Sequence, residues 1–340
     1  MGVKISVVIP MYNGSATIGN CLSKLSQQTF SGKYEVIIVD DASTDGSGEK
    51  VEAMVSSFVN SDLFTVIKCE KNGRAGNARN VGIQAAKGEY VLFIDQDDYP
   101  DEKMLAALYD LSDGERIDCV SCNVADKGGA VYERVQLGMK QSLQTEDRCA
   151  LMREHGYVFA MLIRRKIILE NHIYFPTNVM FEDSLYNIGV FACISSFCNT
   201  KEALYYREVD ENSQTANFTL KKISDRVEAT KWYLANYKEN LKVQAYKAEM
   251  NREAFYYIYL SCVWWMLINK NIFDDKMVKK CISDTKDLNI SWKEICRVEK
   301  RFGGMILKIL KVVYFHPKMD KILSNILSSV YETKKKRKKG

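Results

Sequence analysis

The sequence predicts an α/β protein with a mostly parallel sheet flanked by helices, followed by a helical C-terminal region. Three observations carry this expectation. Over the first hundred residues, strand-like apolar runs alternate with helical segments, the order that builds a parallel sheet covered on both faces. Polar residues gather at the C-terminal end of each strand-like run, where ligands bind in such sheets. From about residue 220 the strand signals give way to helical periodicity.

In order, Ile5-Ser-Val-Val-Ile9 reads as a buried strand and residues 15–25 as a helix; residues 34–40 form the second strand and 46–59 the second helix. A strand over 64–69, a helix over 76–86 and a strand over 90–95 complete the alternation. The strand ends carry Tyr12 and Asn13, then Asp40 and Asp41, then Lys71-Asn72-Gly73-Arg74, then Asp95-Gln96-Asp97-Asp98. Gly73 and Gly76 permit close backbone approach, and Arg74 and Arg79 offer permanently charged planar donors. An anionic, nucleotide-like ligand suits this edge. No GxGxxG follows the first strand and no GxxxxGK[ST] occurs, so neither a dinucleotide fold nor a P-loop is supported.

The fourth strand ends in three carboxylates within four positions. Such crowding raises the pKa of each unless a positive charge sits among them. On a strand, residues i and i+2 share a side, so Asp95 and Asp97 can converge on one cation while Gln96 faces away. The alternative is a solvated Asp-rich turn in which Asp98 or Asp101 caps a helix beginning near Glu102. Residues 119–124 read as a strand and Gly128-Gly129 as a loop. A second acidic pair, Glu182-Asp183, precedes an apolar helix and either carries chemistry or caps that helix.

Composition bounds the remaining possibilities. The chain has 340 residues, 46% of them hydrophobic, enough for one large or two modest domains. Its ten cysteines, with no apolar signal segment at the start, point to reduced thiols in the cytoplasm. Cys119-Val-Ser-Cys122 fits a buried strand better than a zinc site. The net charge of +5 is uneven: residues 301–340 hold 11 Lys or Arg against 2 Asp or Glu, which leaves the first 300 residues at −4. The uncharged run 254–268 is short for a membrane span and fits a core helix. Beyond it, Phe302, Met305, Ile306, Ile309, Leu310 and Val313 recur at helical spacing against Lys308 and Lys311. Ile322, Leu323, Ile326, Leu327 and Val330 repeat the pattern after Pro317, and the chain closes on Lys334-Lys-Lys-Arg-Lys-Lys339. Residues 302–340 therefore read as a basic amphipathic tail in peripheral contact with a membrane surface. No basic groove pattern supports nucleic-acid binding.

Val7-Val-Ile-Pro-Met-Tyr-Asn13, Cys21-Leu-Ser-Lys-Leu-Ser-Gln-Gln-Thr29, Glu35-Val-Ile-Ile-Val-Asp-Asp-Ala-Ser-Thr-Asp-Gly46, Ala78-Arg-Asn-Val-Gly82 and Gly88-Glu-Tyr-Val-Leu-Phe-Ile-Asp-Gln-Asp-Asp98 together resemble the family 2 glycosyltransferases of GT-A fold. The resemblance is dense over the first hundred residues and sparse beyond. It implies a catalytic domain over 1–215, nucleotide-sugar binding in 1–100 and the acceptor half in 101–215, then a helical region over 216–300 and the tail at 301–340. It also implies that Pro10, Tyr12, Asn13 and Asp41 hold the base of a nucleotide-sugar donor, most readily a UDP-sugar, with Asn72 and Arg79 reaching it from the third loop. Asp95, Gln96 and Asp97 then lie on the donor, with Asp97 the principal ligand, and Asp95 the second, for Mg²⁺ or Mn²⁺. Glu182-Asp183 resembles the family's ED motif, Asp183 as general base and Glu182 as its orienting partner or an acceptor contact. Arg207 stands where relatives carry a basic residue near the departing diphosphate.

The implied activity is an inverting, metal-dependent hexosyltransferase. Its acceptor would be a glycan or lipid-linked oligosaccharide, met by a cytoplasmic enzyme at the inner face of the cell membrane. Two other classes are weighed against it. A non-catalytic nucleotide-sugar or carbohydrate binding subunit does not account for metal and base motifs that are both intact. A sugar nucleotidyltransferase needs a glycine-rich first loop bearing Arg and Lys, which this chain lacks.

Overall fold

The structure, a computed structural model, describes residues 2–153, 158–208, 219–298 and 302–339. The chain divides into two compact units, Met1–Glu211 with Glu239–Ala245, and Asn212–Lys238 with Tyr246–Gly340. The domain boundaries expected at 215 and 300 fall outside the described residues.

The first unit is built on one sheet. Its strands are β1 Ile5–Met11, β2 Tyr34–Asp40, β3 Phe64–Lys68, β4 Tyr90–Phe93, β5 Tyr99–Pro100, β6 Cys119–Asp126, β7 Val131–Tyr132, β8 Met161–Arg164 and β9 Phe197–Arg207. They lie in the order β3-β2-β1-β4-β8-β6-β9-β5, with β7 beside β6. The first four are mutually parallel. Between the halves lies β8, antiparallel to both β4 and β6, a strand the sequence reading did not anticipate. All seven residues of β1 are buried, as a strand covered on both faces requires. Pro10 lies beyond the last β1–β4 pair, Val8 with Phe93, so its missing N–H breaks no bond on that side.

Helices α1 Ile18–Ser26, α2 Ser47–Ser56 and α3 Arg74–Ala85 cross between the parallel strands. In α1 the buried residues Ile18, Cys21, Leu22 and Leu25 follow the i, i+3, i+4, i+7 pattern. Helix α3 buries a small-residue face, Gly76, Ala78 and Gly82. It thereby lies so close to β1 that a Cβ on Gly82 would stand 2.2 Å from Val8 Cγ1. In the order β3-β2-β1-β4 the succession of strands reverses between β1 and β4, and the crevice of such sheets opens there.

Helices α4 Met104–Asp110, α5 Thr145–Met152, α6 Arg165–Glu170 and α7 Tyr186–Cys193 also belong to the unit, as does the short helix Leu241–Gln244. Cys119 and Cys122 are buried on β6, three positions apart and so on opposite faces. The other unit is helical. Its uncharged run lies across Lys247–Phe255, a π-helical segment Tyr256–Ser261 and Cys262–Ile268. It is core: Ile258, Tyr259, Leu260, Val263, Met266 and Leu267 are buried, and Tyr259 donates to the Leu310 carbonyl at 2.7 Å. Among the described residues no helix is long and apolar enough to cross a membrane.

The α3–β1 contact makes a direct stability prediction. Gly82→Ala forces a methyl into Val8 and should cost about 1–3 kcal/mol, read as a lower midpoint in urea unfolding; a midpoint equal to wild type would mean that α3 can lift off β1 freely.

Candidate functional site

The strand ends converge as the spacing predicts, and backbone and side chains of neighbouring loops lock them together. At the end of β1, Asn13 adopts φ +50. Its N–H donates to Ser43 Oγ at 2.9 Å and its side-chain oxygen accepts the Thr44 N–H at 2.9 Å. Asp41 is buried, and its two oxygens each accept the Gly73 N–H at 3.0 Å. That contact fastens the β2 end to the loop after β3. Asn72 turns its side-chain oxygen to the Arg74 N–H at 3.2 Å. Ala42, Arg74, Asn178 and Phe181 also hold φ between +59 and +66, a conformation costing such residues of order 1–3 kcal/mol each and typical of functional loops.

The acidic cluster differs from its strand-based reading. Strand β4 stops at Phe93, the last residue paired with β1, and residues 95–98 form a turn closed by the Asp98 N–H on the Asp95 carbonyl at 3.1 Å. Strand alternation therefore does not put Asp95 and Asp97 on one face. Gln96 does not simply turn away: its side-chain oxygen accepts the Tyr12 N–H at 2.9 Å and its NH₂ donates to the Tyr12 carbonyl at 3.2 Å. It thus clips the ends of β1 and β4 across the crevice and leaves the Tyr12 ring 38% exposed.

Asp98 caps no helix. It is buried, accepting the Tyr205 hydroxyl at 2.7 Å and the Glu208 N–H at 3.0 Å. Burial, reinforced by Asp95 and Asp97 and opposed by the Tyr205 hydrogen bond, pushes its pKa up to about 7. Asp101 accepts the Lys103 N–H at 3.0 Å just before α4.

Tyr205, two positions before Arg207, is a site residue that the sequence analysis did not single out. Fully buried on β9, it donates to Asp98, accepts the Asp95 N–H at 3.2 Å, and stacks on Phe159 at 4.5 Å. A tyrosine two positions before a basic residue was the available signal. Arg207 itself lies over the same Phe159 ring at 5.8 Å.

Arg79 joins the two acidic motifs. Its side chain is 5% exposed; one terminal nitrogen pairs with Asp95 at 2.8 Å and the other with Glu182. Its guanidinium also lies over Phe175 at 5.4 Å. Burial works against its charge, but Asp95 and Glu182 outweigh that and raise its pKa. The segment carrying Glu182 is tied to α3 along its length. Asn178 N–H donates to the Gly73 carbonyl at 2.8 Å, Asn80 exchanges hydrogen bonds with the Phe175 backbone at 2.8 and 2.9 Å, and a Cβ on Gly76 would meet the Pro176 carbonyl oxygen at 2.1 Å. At the start of α7 the N-cap position is Leu185, and the Asp183 backbone carbonyl accepts the Tyr186 N–H at 3.2 Å.

Among the described residues no cluster of three or more His, Cys, Asp or Glu is close enough to enclose a metal. Asp97 is exposed on the turn, and Asp95 already gives one oxygen to Arg79. Two oxygen-bearing side chains cannot make a closed zinc site. They fit an ion such as Mg²⁺, which keeps waters and takes its other ligands from substrate phosphates.

The model of the family described as Glycosyl transferase family 2 matches residues 6–187. The uncharacterized glycosyltransferase EpsJ of Bacillus subtilis is 30% identical over 221 residues, 62% of each chain. The poly(ribitol-phosphate) beta-glucosyltransferase of Bacillus spizizenii is 29% identical over 219 residues, 62% of this chain and 33% of that one. The chain thus spans about three fifths of the first relative and a third of the second. The crystal structure of Staphylococcus aureus TarS residues 1–349 with UDP-GlcNAc superposes with a TM-score of 0.70 at 19% identity, covering 97% of this chain and 92% of that one. At that identity the likeness speaks for the fold, GT-A.

Two substitutions test this architecture. Arg79→Met leaves the Asp95 and Glu182 carboxylates without their shared cation and should destabilise by about 3–5 kcal/mol, with Arg79→Lys between it and wild type. Tyr205→Phe should cost about 1–3 kcal/mol by leaving Asp98 short of a donor. Denaturant titration measures both, and a wild-type midpoint for Arg79→Met would show that the bridge contributes nothing.

Proposed function

Because this chain belongs to glycosyl transferase family 2, we propose that it moves a sugar from a nucleoside-diphosphate donor to a hydroxyl of a glycan or lipid-linked acceptor in surface-polysaccharide synthesis. The observation that carries this reading is the Arg79 bridge. A single guanidinium holds the end of β4, where a nucleotide sugar would lie, against the segment bearing Glu182-Asp183, so one site has both a donor half and an acceptor half. A UDP-sugar is the donor this reading favours, in keeping with the UDP-GlcNAc bound by the TarS fold relative.

Asp183 is the general base: its carboxylate takes the acceptor hydroxyl proton as that oxygen attacks the anomeric carbon opposite the leaving diphosphate, and the configuration inverts. A positioned base of this kind contributes about 10²–10⁴-fold. Glu182, committed to Arg79, orients that segment. The β1 and β2 ends, with Pro10, Tyr12, Asn13 and Asp41, form the base pocket, and Asn72 borders it. Asp97, with Asp95 beside it, would hold Mg²⁺ or Mn²⁺, whose charge stabilises the departing diphosphate; Arg207 adds a fixed positive charge on the same side. The acceptor is met at the cytoplasmic face of the membrane.

Asp97→Ala, like chelation of the wild type by EDTA, should abolish metal-dependent hydrolysis of a UDP-sugar in a nucleotide-release assay. Asp183→Asn should keep donor-induced thermal stabilisation yet lose transfer by about 10²–10⁴-fold. Full turnover in Asp183→Asn would remove the base assignment, and turnover undiminished in EDTA would remove the metal.

A further inference from the structure

The last two helices of the second unit divide their apolar residues between the core and the surface. In Gly304–Phe315 the residues buried are Leu307, Leu310 and Val313, so part of the apolar face expected to meet a membrane packs within the unit, while Met305 of that face is exposed. In Asp320–Lys339 the most deeply buried residues are polar, with Leu323 and Leu327 half-buried beside them. Asp320, Ser324 and Ser328, spaced i, i+4, i+8, are 4%, 2% and 1% exposed, while Ile322 and Ile326 are 53% and 56% exposed. An ordinary surface helix places its large apolar residues inward.

The outward apolar residues continue from one helix to the next: Met305 (78% exposed), Phe315 (57%) and Met319 (38%) join Ile322 and Ile326. Lys308, Lys311, Lys318 and Lys321 are exposed among them. None of these four has an ion-pair partner among the described residues. The one carboxylate in residues 302–331 is Asp320, which is buried. Among the described side chains of residues 302–331 the exposed surface is therefore apolar and cationic, with no exposed anion.

We propose that this face docks on an anionic lipid bilayer, with Ile322, Ile326, Phe315 and Met319 entering the headgroup–acyl boundary and the lysines contacting acidic headgroups. Charge selects this occupant. A second copy of the chain would bring lysine against lysine, whereas an anionic bilayer offers both the apolar layer and the opposite charge. The proposal deepens the reading of a membrane-side enzyme and names the surface it uses. Its test involves no donor or acceptor, so it stands or falls apart from sugar transfer.

The full chain is sedimented with vesicles of phosphatidylcholine alone or with phosphatidylglycerol added. Binding should require the anionic lipid and weaken as salt rises. Ile322→Ser with Ile326→Ser should weaken it by about tenfold or more at an unchanged thermal midpoint, because only exposed apolar area is lost. Lys318→Gln and Lys321→Gln should each weaken it by about fivefold. Binding to anionic vesicles undiminished in the double isoleucine variant would overturn the proposal. So would a concentration-dependent dimer in light scattering that the same variant abolishes, since the face would then belong to a second copy.

Discussion

The site depends on one buried cation. Arg79 sits on a helix that a row of small residues lets settle against β1, and it carries positive charge into a place where burial alone would disfavour it. Two carboxylates from distant parts of the chain hold it there, one 16 and one 103 residues away in sequence. A cation with a single partner would leave either itself or the second acid uncompensated. With both, the β4 turn and the segment before α7 are fixed relative to α3, and the Phe175 ring closes the guanidinium from its face.

Around that centre, loop-to-loop bonding replaces regular secondary structure. Asp41 on the Gly73 N–H, Gln96 on the Tyr12 backbone and Asn80 on the Phe175 backbone each join segments far apart in sequence. Side chains that satisfy backbone groups in this way let irregular loops lie close together without orphaned donors. They also hold the left-handed residues Asn13, Ala42, Arg74, Asn178 and Phe181 in conformations that free loops would leave.

The parallel half of the sheet was legible because each of its strands is a buried apolar run ending in polar residues, a pattern local to ten or twenty residues. Strand β8 was not, because Met161–Arg164 is four residues long and its pairing with β4 rests on partners seventy residues away. The acidic motifs were legible as residue clusters but not as geometry. Alternation on a strand implies that Asp95 and Asp97 converge, yet β4 ends with its pairing at Phe93 and a turn follows. Arg79 was read as a donor-contacting arginine, since nothing local reveals that Glu182 will reach it. The tail was legible as amphipathic but not in its facing: periodicity identifies an apolar face, whereas which residues point inward depends on the neighbouring helices, and in Asp320–Lys339 the serines were taken in.

The Tyr205–Asp98 hydrogen bond joins residues 107 positions apart, and this has a consequence for how the protein is made. Strands β1 to β3 with their helices are joined by contacts near in sequence and can form early, whereas the β1–β4 pairing of Ile5 with Tyr90 and the longer Tyr205–Asp98 closure are entropically slower. During synthesis from the N-terminus, the aspartates at the end of β4 must wait for β9 to leave the ribosome. Until then Asp98 lacks the Tyr205 hydroxyl that it accepts in the finished fold, while Asp95 already has Arg79 within reach, so this part of the site is completed late in the domain's folding.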